Sequence, residues 1–186
     1  MNIRPAVAGD LPLIEEIDCV IESTEYLHID RAGEGLSLSF KLGKRPLREK
    51  LILGNALNDD THFLLKQIAT GMDEGICRVA QHEDRLVAMM LAQADPMLGT
   101  MRVIDIRVDC EFRRQGLATV MLYQLIEEAK EADLRAVSIL TQTNNAPAAA
   151  MLEKLGFELS GLDTRRLSNH DLVKESATLI WYYAIN

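Results

Sequence analysis

The sequence predicts a single α/β (α+β) domain built on a mixed central β-sheet with flanking helices. Three observations carry this reading. The 186 residues match the usual size of one globular domain and are enough to bury a core. The apolar pattern switches between a period of two and a period near 3.6, with helices crossing over between strands mainly in the second half. No internal repeat, low-complexity tract or linker interrupts the chain, so one domain is expected to span residues 1–186.

Taken in order, Asn2 to Val7 reads as a short strand. Gly9-Asp10 then looks like a helix N-cap, with Pro12 in the first turn and Leu13, Ile14, Ile17 and Val20 at helical spacing, ending before Glu22. Gly33, Gly35 and Gly43 break up the following stretch, and Pro46 is expected to open a helix carrying Leu47, Leu51, Ile52 and Leu57. Another helix begins at Asp59 or Asp60 and carries Phe63, Leu64, Leu65 and Ile68, with Gly71 as its terminator. Residues 11–71 thus read as a helical region. Ile76 to Gln81 and Leu86 to Ala94 form a hairpin across the polar His82-Glu83-Asp84-Arg85. Pro96 and Gly99 turn the chain into a strand, Met101 to Asp109, whose Ile104, Ile106 and Val108 alternate with Val103, Asp105 and Arg107. A long helix from Gln115 to Ala132, a strand from Ala136 to Thr141 and a helix from Ala146 to Leu155 follow, with closing strands at Phe157 to Gly161 and Ala177 to Ala184.

Composition excludes several classes. With 48% hydrophobic and 26% charged residues, the chain is neither disordered nor collagen-like. Its longest apolar run, Leu86 to Ala92, falls far short of the roughly 20 residues a bilayer span needs. Met1-Asn2-Ile3-Arg4-Pro5 lacks the apolar stretch of a secretory signal. No membrane partner and a cytoplasmic location are therefore expected. A net charge of −8, from 28 acidic and 20 basic side chains, argues against nucleic acid as a partner. Phosphates are held by clustered Lys and Arg, and the compact basic clusters here are only Lys41 to Arg48, Arg113-Arg114 and Arg165-Arg166. A small cationic substrate would be drawn to such a surface. Cys19, Cys77 and Cys110 are odd in number and far apart, so they form neither a disulfide frame nor a metal pair. The histidines His28, His62, His82 and His170 are scattered and read as surface or cap residues; no metal is expected.

The chemistry concentrates after the strand Ile104 to Val108, where Arg113-Arg114-Gln115-Gly116-Leu117-Ala118 leads into a helix. Such a loop presents several backbone N–H groups at the positive end of a helix dipole, and Gly116 and Ala118 are small enough for a diphosphate to approach the chain. The plainer account is a tight turn at Gly116 with two solvated arginines. The dinucleotide pattern G-x-G-x-x-G, the NTPase pattern G-x-x-x-x-G-K-[ST], H-E-x-x-H and G-x-S-x-G are all missing.

Two motifs together carry a family resemblance that covers most of the chain. The first is [Q/R]-x-x-G-x-[G/A], present as Arg113, Gly116 and Ala118 after a strand ending in Val108-Asp109. The second is N-x-x-A-x-x-x-Y-x-K-x-G-F, which reads from Asn145 through Ala148, Leu152 and Lys154 to Gly156-Phe157. In this order and spacing the sequence resembles the GNAT superfamily of acyl-CoA-dependent N-acetyltransferases. A finer likeness, to its streptothricin acetyltransferase-like branch, runs through Gly156 to Thr164 and Glu175 to Tyr183.

The resemblance implies a sheet splayed around the cofactor, residues 101–157 as the acetyl-CoA-binding core, and residues 11–71 as the acceptor-side wall. The CoA diphosphate would lie on the N–H groups of Arg113, Arg114, Gln115, Gly116, Leu117 and Ala118, with Thr119 close by. The pantetheine arm would pair like an added strand along Ile106, Arg107 and Val108. Asn145 would contact that arm or hold the splayed strands, its plainer role being a helix N-cap, and Ala148 would line the groove. The reaction implied is attack of a neutral amine on the acetyl carbonyl, which needs a proton acceptor and an acid for the thiolate. Asp105, on the polar face of the central strand, is the expected base, its plainer role being a partner for Arg102 or Arg107; Glu158 is second choice. The acid usually supplied by Tyr is missing, because position 152 holds Leu; Tyr123, Tyr182 and Tyr183 are substitutes. The acceptor would be a small-molecule amine, such as an aminoglycoside-like or streptothricin-like cation, or a polyamine, a peptide N-terminus or a lysine. The other class to weigh is a non-catalytic acyl-CoA-binding sensor that has kept the groove. Family members often pair as homodimers, to which Trp181-Tyr182-Tyr183 could contribute, strand-face packing being an equally good account.

Overall fold

The computed structural model describes residues 1–54 and 56–185. Its elements, in chain order, are β1 (Asn2–Pro5), α1 (Leu11–Glu15), β2 (Ile21–Ala32), β3 (Ser39–Leu53), α2 (Asp59–Ala69), β4 (Ile76–His82), β5 (Arg85–Asp95), β6 (Thr100–Val108), α3 (Leu117–Glu131), β7 (Ala136–Gln142), α4 (Ala146–Lys154), β8 (Glu158–Asp163) and β9 (Thr178–Ala184). They fall into two compact units: Met1–Val20, Gly54–Ile139 and Tyr183–Asn186 make one, Ile21–Leu53 and Leu140–Tyr182 the other.

In the first unit the strands lie in the order β1-β4-β5-β6-β7. The first three pairings are antiparallel, and β6 runs parallel to β7 from Thr100↔Ala136 to Val103↔Ile139. The mixed sheet follows from local chemistry: β4 and β5 return on a tight hairpin, whereas a parallel pair needs a crossover, here α3. Met121, Leu122, Leu125, Ile126 and Ala129 form the buried stripe of that helix, with the 3.6-residue spacing that packs a helix on a sheet. On the other face Ile14 and Ile17 at α1, Leu65 of α2, and Val79, Met89 and Leu91 of the sheet form one apolar cluster. Fully burying such a side chain contributes about 1.5–3 kcal/mol.

One irregularity positions the site. Leu91 pairs with Asp105 and Ala92 with Val103, so Ile104 is an extra residue, a bulge. Directly paired residues share a face. The bulge therefore leaves Val103 on the face of Ala92 but turns Asp105 and Arg107 onto the face of Leu91 and Met89, toward α1 and α2. The simple alternation expected for this strand is broken there, and the face carrying Asp105 and Arg107 is not a solvated one: Arg107 is buried.

In the second unit β2 and β3 form an antiparallel ribbon, and β8 pairs antiparallel with β9. Leu27 N–H donates to the Thr143 carbonyl at 2.8 Å, and Thr143 N–H to the Ala177 carbonyl at 2.9 Å. Trp181 is buried and its Nε1–H donates to Thr141 Oγ1 at 2.8 Å, so this aromatic packs within its own unit.

The helical reading of residues 11–71 is corrected here. Helix α1 stops at Glu15, and beyond it the Asp18 carbonyl accepts the N–H of Cys110 at 2.8 Å, a tertiary bond in place of a helical one. Residues from Ile21 to Leu53 are strands rather than helix. Ser23 pairs with Leu51 and Glu25 with Pro46, so Leu47 to Lys50 stand opposite Thr24 alone. That wide bulge gives Leu47 and Leu51 the four-residue spacing of a helix. Pro46 is tolerated because a two-stranded ribbon has only edge strands. Helix α2 forms where expected, Asn58 Oδ1 accepting the Thr61 N–H at 2.8 Å as its N-cap. No helix among the described residues is long and apolar enough to cross a membrane.

Candidate active site

The loop between β6 and α3 is held from both ends. Asp109 is buried; its N–H donates to the Val87 carbonyl at 2.9 Å, and its carboxylate accepts the Glu111 N–H at 3.1 Å and an Arg85 nitrogen at 3.2 Å. Arg113 Nε donates to the Val108 carbonyl at 3.2 Å, tying the loop to the end of β6. Two residues then adopt left-handed backbone, Arg114 (φ 61°) and Gly116 (φ 83°). Gly116 is the N-cap of α3 and supplies no side-chain cap, so the first N–H groups of a 15-residue helix lack the partner that Ser, Asp or Asn would give. A Cβ at Gly116 would meet nothing within 4 Å. Exposed Arg114, Gln115 and Gly116, followed by half-buried Ala118 and Thr119, leave an open approach to bare donors at the positive end of a dipole, a fit for a diphosphate.

Just before this loop, β6 pairs with β5 through Ala88↔Val108, Met89↔Arg107, Met90↔Ile106 and Leu91↔Asp105. Its ladder to β7 covers only Thr100 to Val103. Past that ladder β6 continues through Ile106 and Val108, an extended stretch that suits an amide chain adding to the sheet.

A cavity of about 570 Å³ opens on the α1 and α2 face of the same unit. Arg107 lines it, together with Glu15, Asp18, Cys19, Asp59 and His62; Ile17, Val20 and Leu57 supply its apolar wall. Arg107 donates from Nε to Asp105 Oδ2 at 3.0 Å and from a terminal nitrogen to the same oxygen. Asp105, the expected base, thus gives one carboxylate oxygen to a guanidinium that is itself only 3% exposed. His62 Nε2 lies 2.9 Å from Glu15 Oε1. Burial pushes the Cys19 thiol up while Arg107 pulls against it. Burial also drives the Cys77 thiol up to about 12, so neither is a ready thiolate.

The structure brings Asp105, Ile106, Arg107, Val108 and the 113–119 loop together in one unit. Asn145 and Ala148 belong to the other, where Asn145 Oδ1 accepts the Ala148 N–H at 3.3 Å and caps α4. Leu152 is fully buried in that helix. Tyr123 is half exposed on α3, and Glu158 is exposed on β8. Sequence reasoning read His62 as a surface or cap residue and did not single out Glu15; the structure places both at this cavity. The available signal was spacing: His62 stands three residues before buried Leu65, on the same face of α2.

The protein-family model "Acetyltransferase (GNAT) family" matches residues 48–157, more than half of the chain. Over 79 residues the chain is 34% identical to streptothricin acetyltransferase A of Bacillus subtilis (strain 168), a match covering 42% of this chain and 45% of that protein. Over 75 residues it is 32% identical to [ribosomal protein bS18]-alanine N-acetyltransferase of Salmonella typhimurium, covering 40% and 49%. The chain therefore spans about half the length of these curated relatives. Its fold is similar to that of a Bacillus anthracis protein described as a streptothricin acetyltransferase and solved with acetyl coenzyme A. That match has a TM-score of 0.79 at 18% identity and covers 100% of this chain and 97% of that one.

Proposed function

We propose that this chain, which belongs to the acetyltransferase (GNAT) family, is an enzyme that moves an acetyl group from acetyl-CoA to a primary amine of a small cation or a peptide, in the cytoplasm. The observation that carries the reading is the bare start of α3: Gly116 in left-handed backbone, open space where its Cβ would stand, and first-turn N–H groups with no side-chain cap. Acetyl-CoA, when bound, supplies the acetyl thioester. The chain's own residues do the rest. The N–H groups from Arg113 to Ala118 hold the diphosphate, with Thr119 at their end. The stretch from Ile106 to Val108, past the ladder to β7, aligns the pantetheine. Asp105 holds Arg107 at the cavity.

The lining of that cavity supports a cationic acceptor, because Glu15, Asp18 and Asp59 outnumber its one guanidinium and would attract an ammonium group. The test is free-thiol release from acetyl-CoA against a streptothricin, spermidine and an alanine-terminated peptide. Release with at least one of these well above the hydrolysis background is expected. Tight acetyl-CoA binding with no release for any amine would make the chain an acyl-CoA sensor instead.

A further inference from the structure

We infer that Asp18, its carboxylate held by Cys110, seats a second, non-reacting ammonium group of the acceptor, so that the acceptor is a cation bearing two or more amines. The inference rests on the acetyl-transfer reading and names the substrate class of that same cavity. Asp18 reaches the cavity through its neighbours in the chain. Ile17 and Cys19 are buried and belong to the apolar cluster beneath α1 and α2. The residue between them is therefore turned outward and exposed. Its main chain is pinned, since the Asp18 carbonyl accepts the Cys110 N–H at 2.8 Å.

The side chain is held as well. Asp18 Oδ1 accepts the Val20 N–H at 3.4 Å, and Oδ2 accepts the Cys110 S–H at 3.5 Å. Desolvation and that bond to Asp18 keep the Cys110 thiol above its ordinary value, so at neutral pH it retains the hydrogen it donates. Three carboxylates line the cavity, those of Glu15, Asp18 and Asp59. Among the described residues, Asp18 is the one of the three that accepts hydrogen bonds on both of its oxygens. Each oxygen has a further lone pair for a ligand. The guanidinium at the cavity does not cancel this charge, because Arg107 is paired with Asp105. Cys110 also opens the turn that leads into the 113–118 loop, so the same residue fixes the carboxylate relative to the loop assigned to the diphosphate.

The chemistry decides which nitrogen Asp18 holds. A carboxylate beside an ammonium group favours its charged form. On the reacting nitrogen it would oppose the proton loss that attack on the thioester requires. A second nitrogen that stays charged meets no such penalty, and anchoring it leaves the reacting amine free to become neutral. Diamines, polyamines and larger cations with several amines fit this arrangement.

The experiment is steady-state thiol release by the full chain. Its substrates are streptothricin and spermidine, which carry several amines, and an alanine-terminated peptide with one amine and no other cation. The wild type should turn over a polycation faster than the peptide. With the faster polycation, Asp18→Asn should raise KM by about tenfold or more, the scale of one charged hydrogen bond, with kcat within about threefold and acetyl-CoA affinity within about twofold. Glu15→Gln and Asp59→Asn should each raise that KM less. Cys110→Ala should raise it by about threefold, and Cys110→Ser, whose hydroxyl still donates, should restore the wild-type value. Release with the peptide and with neither polycation overturns this inference alone. So does an Asp18→Asn variant whose KM is unchanged, or whose loss falls on kcat, which would put Asp18 on the reacting nitrogen. No release from the wild-type chain with any amine overturns the acetyl-transfer reading and this inference with it.

Discussion

Gly116 and Gly71 make a matched pair that separates the cost of backbone strain from the loss of a ligand contact. Both have left-handed backbone, φ 83° and 72°, and at both a Cβ would meet nothing within 4 Å. Replacing either by Ala therefore brings no clash, only the expense of holding an L-residue in that region, about 1–2 kcal/mol. For a chain of this length that is a fall in Tm of roughly 2–8 °C, similar for the two. The difference lies in what comes next in the chain. Gly71 follows α2 at its end, its N–H bonded to the Ile68 carbonyl at 3.0 Å. Gly116 stands before the unused N–H groups of α3. A methyl group there fills the space by which a diphosphate reaches the backbone. Losing one charge-assisted hydrogen bond costs about 1.5–3 kcal/mol, or roughly tenfold to a hundredfold in Kd. Calorimetric titration with acetyl-CoA, beside thermal melts, measures both effects. Gly71→Ala should bind like the wild type and Gly116→Ala at least tenfold more weakly. Equal affinities for the two variants would refute the placement of the diphosphate.

Three further outcomes follow from particular contacts. Asp105→Asn leaves the buried Arg107 guanidinium beside a neutral amide, so stability should fall by about 3–5 kcal/mol. At a temperature where the variant stays folded, the rate should drop less than tenfold; a loss of about 100-fold with unchanged acetyl-CoA affinity would return the proton transfer to Asp105. Leu152→Tyr overfills a fully buried position in α4 and should cost about 1–3 kcal/mol with a rate change below tenfold, whereas a hundredfold gain in thiol release would mean that the missing acid limits the wild type. The Arg4 guanidinium holds the Asp10 carboxyl below the usual carboxylate range, through bonds of 2.7 and 2.8 Å. Its contribution to stability is present above the ordinary carboxylate pKa of about 3.9 and disappears as pH falls through the depressed value. Urea melts from pH 7 to pH 2 should show Asp10→Asn less stable than the wild type at neutral pH and converging with it at the acid end.

Where local chemistry alone decides an element, the sequence was readable. Helix α3, the β4–β5 hairpin and the Asn145 start of α4 each follow from a cap, a turn or a periodic stripe within a few residues. The ribbon of β2 and β3 was not readable, because its bulge between Ser23 and Glu25 gives a strand the apolar spacing of a helix, and a bulge is settled by the partner strand. The loop from Arg113 to Ala118 was legible for a similar reason in reverse: its left-handed glycine and its helix start are neighbours in the chain.

Asp105 and Arg107 show where such reading stops. Asp105 looked exposed because Val103, Asp105 and Arg107 alternate with apolar residues, and alternation assumes an unbroken pleat. Inserting Ile104 as one extra residue swings Asp105 and Arg107 to the α1 and α2 face, where Arg107 lines a cavity and Asp105 is its counter-charge. The cavity also gathers residues that are distant in the chain. Glu15 and His62 lie 47 positions apart in the chain, at 2.9 Å in space, and no periodicity connects them. Deleting Ile104 should test that geometry: the pairs Ala92↔Val103, Leu91↔Asp105 and Met89↔Arg107 survive in an unbroken pleat, so Arg107 should stay on the cavity face, and a structure of the folded variant with Arg107 turned to the other face of the sheet would refute the assignment of the bulge.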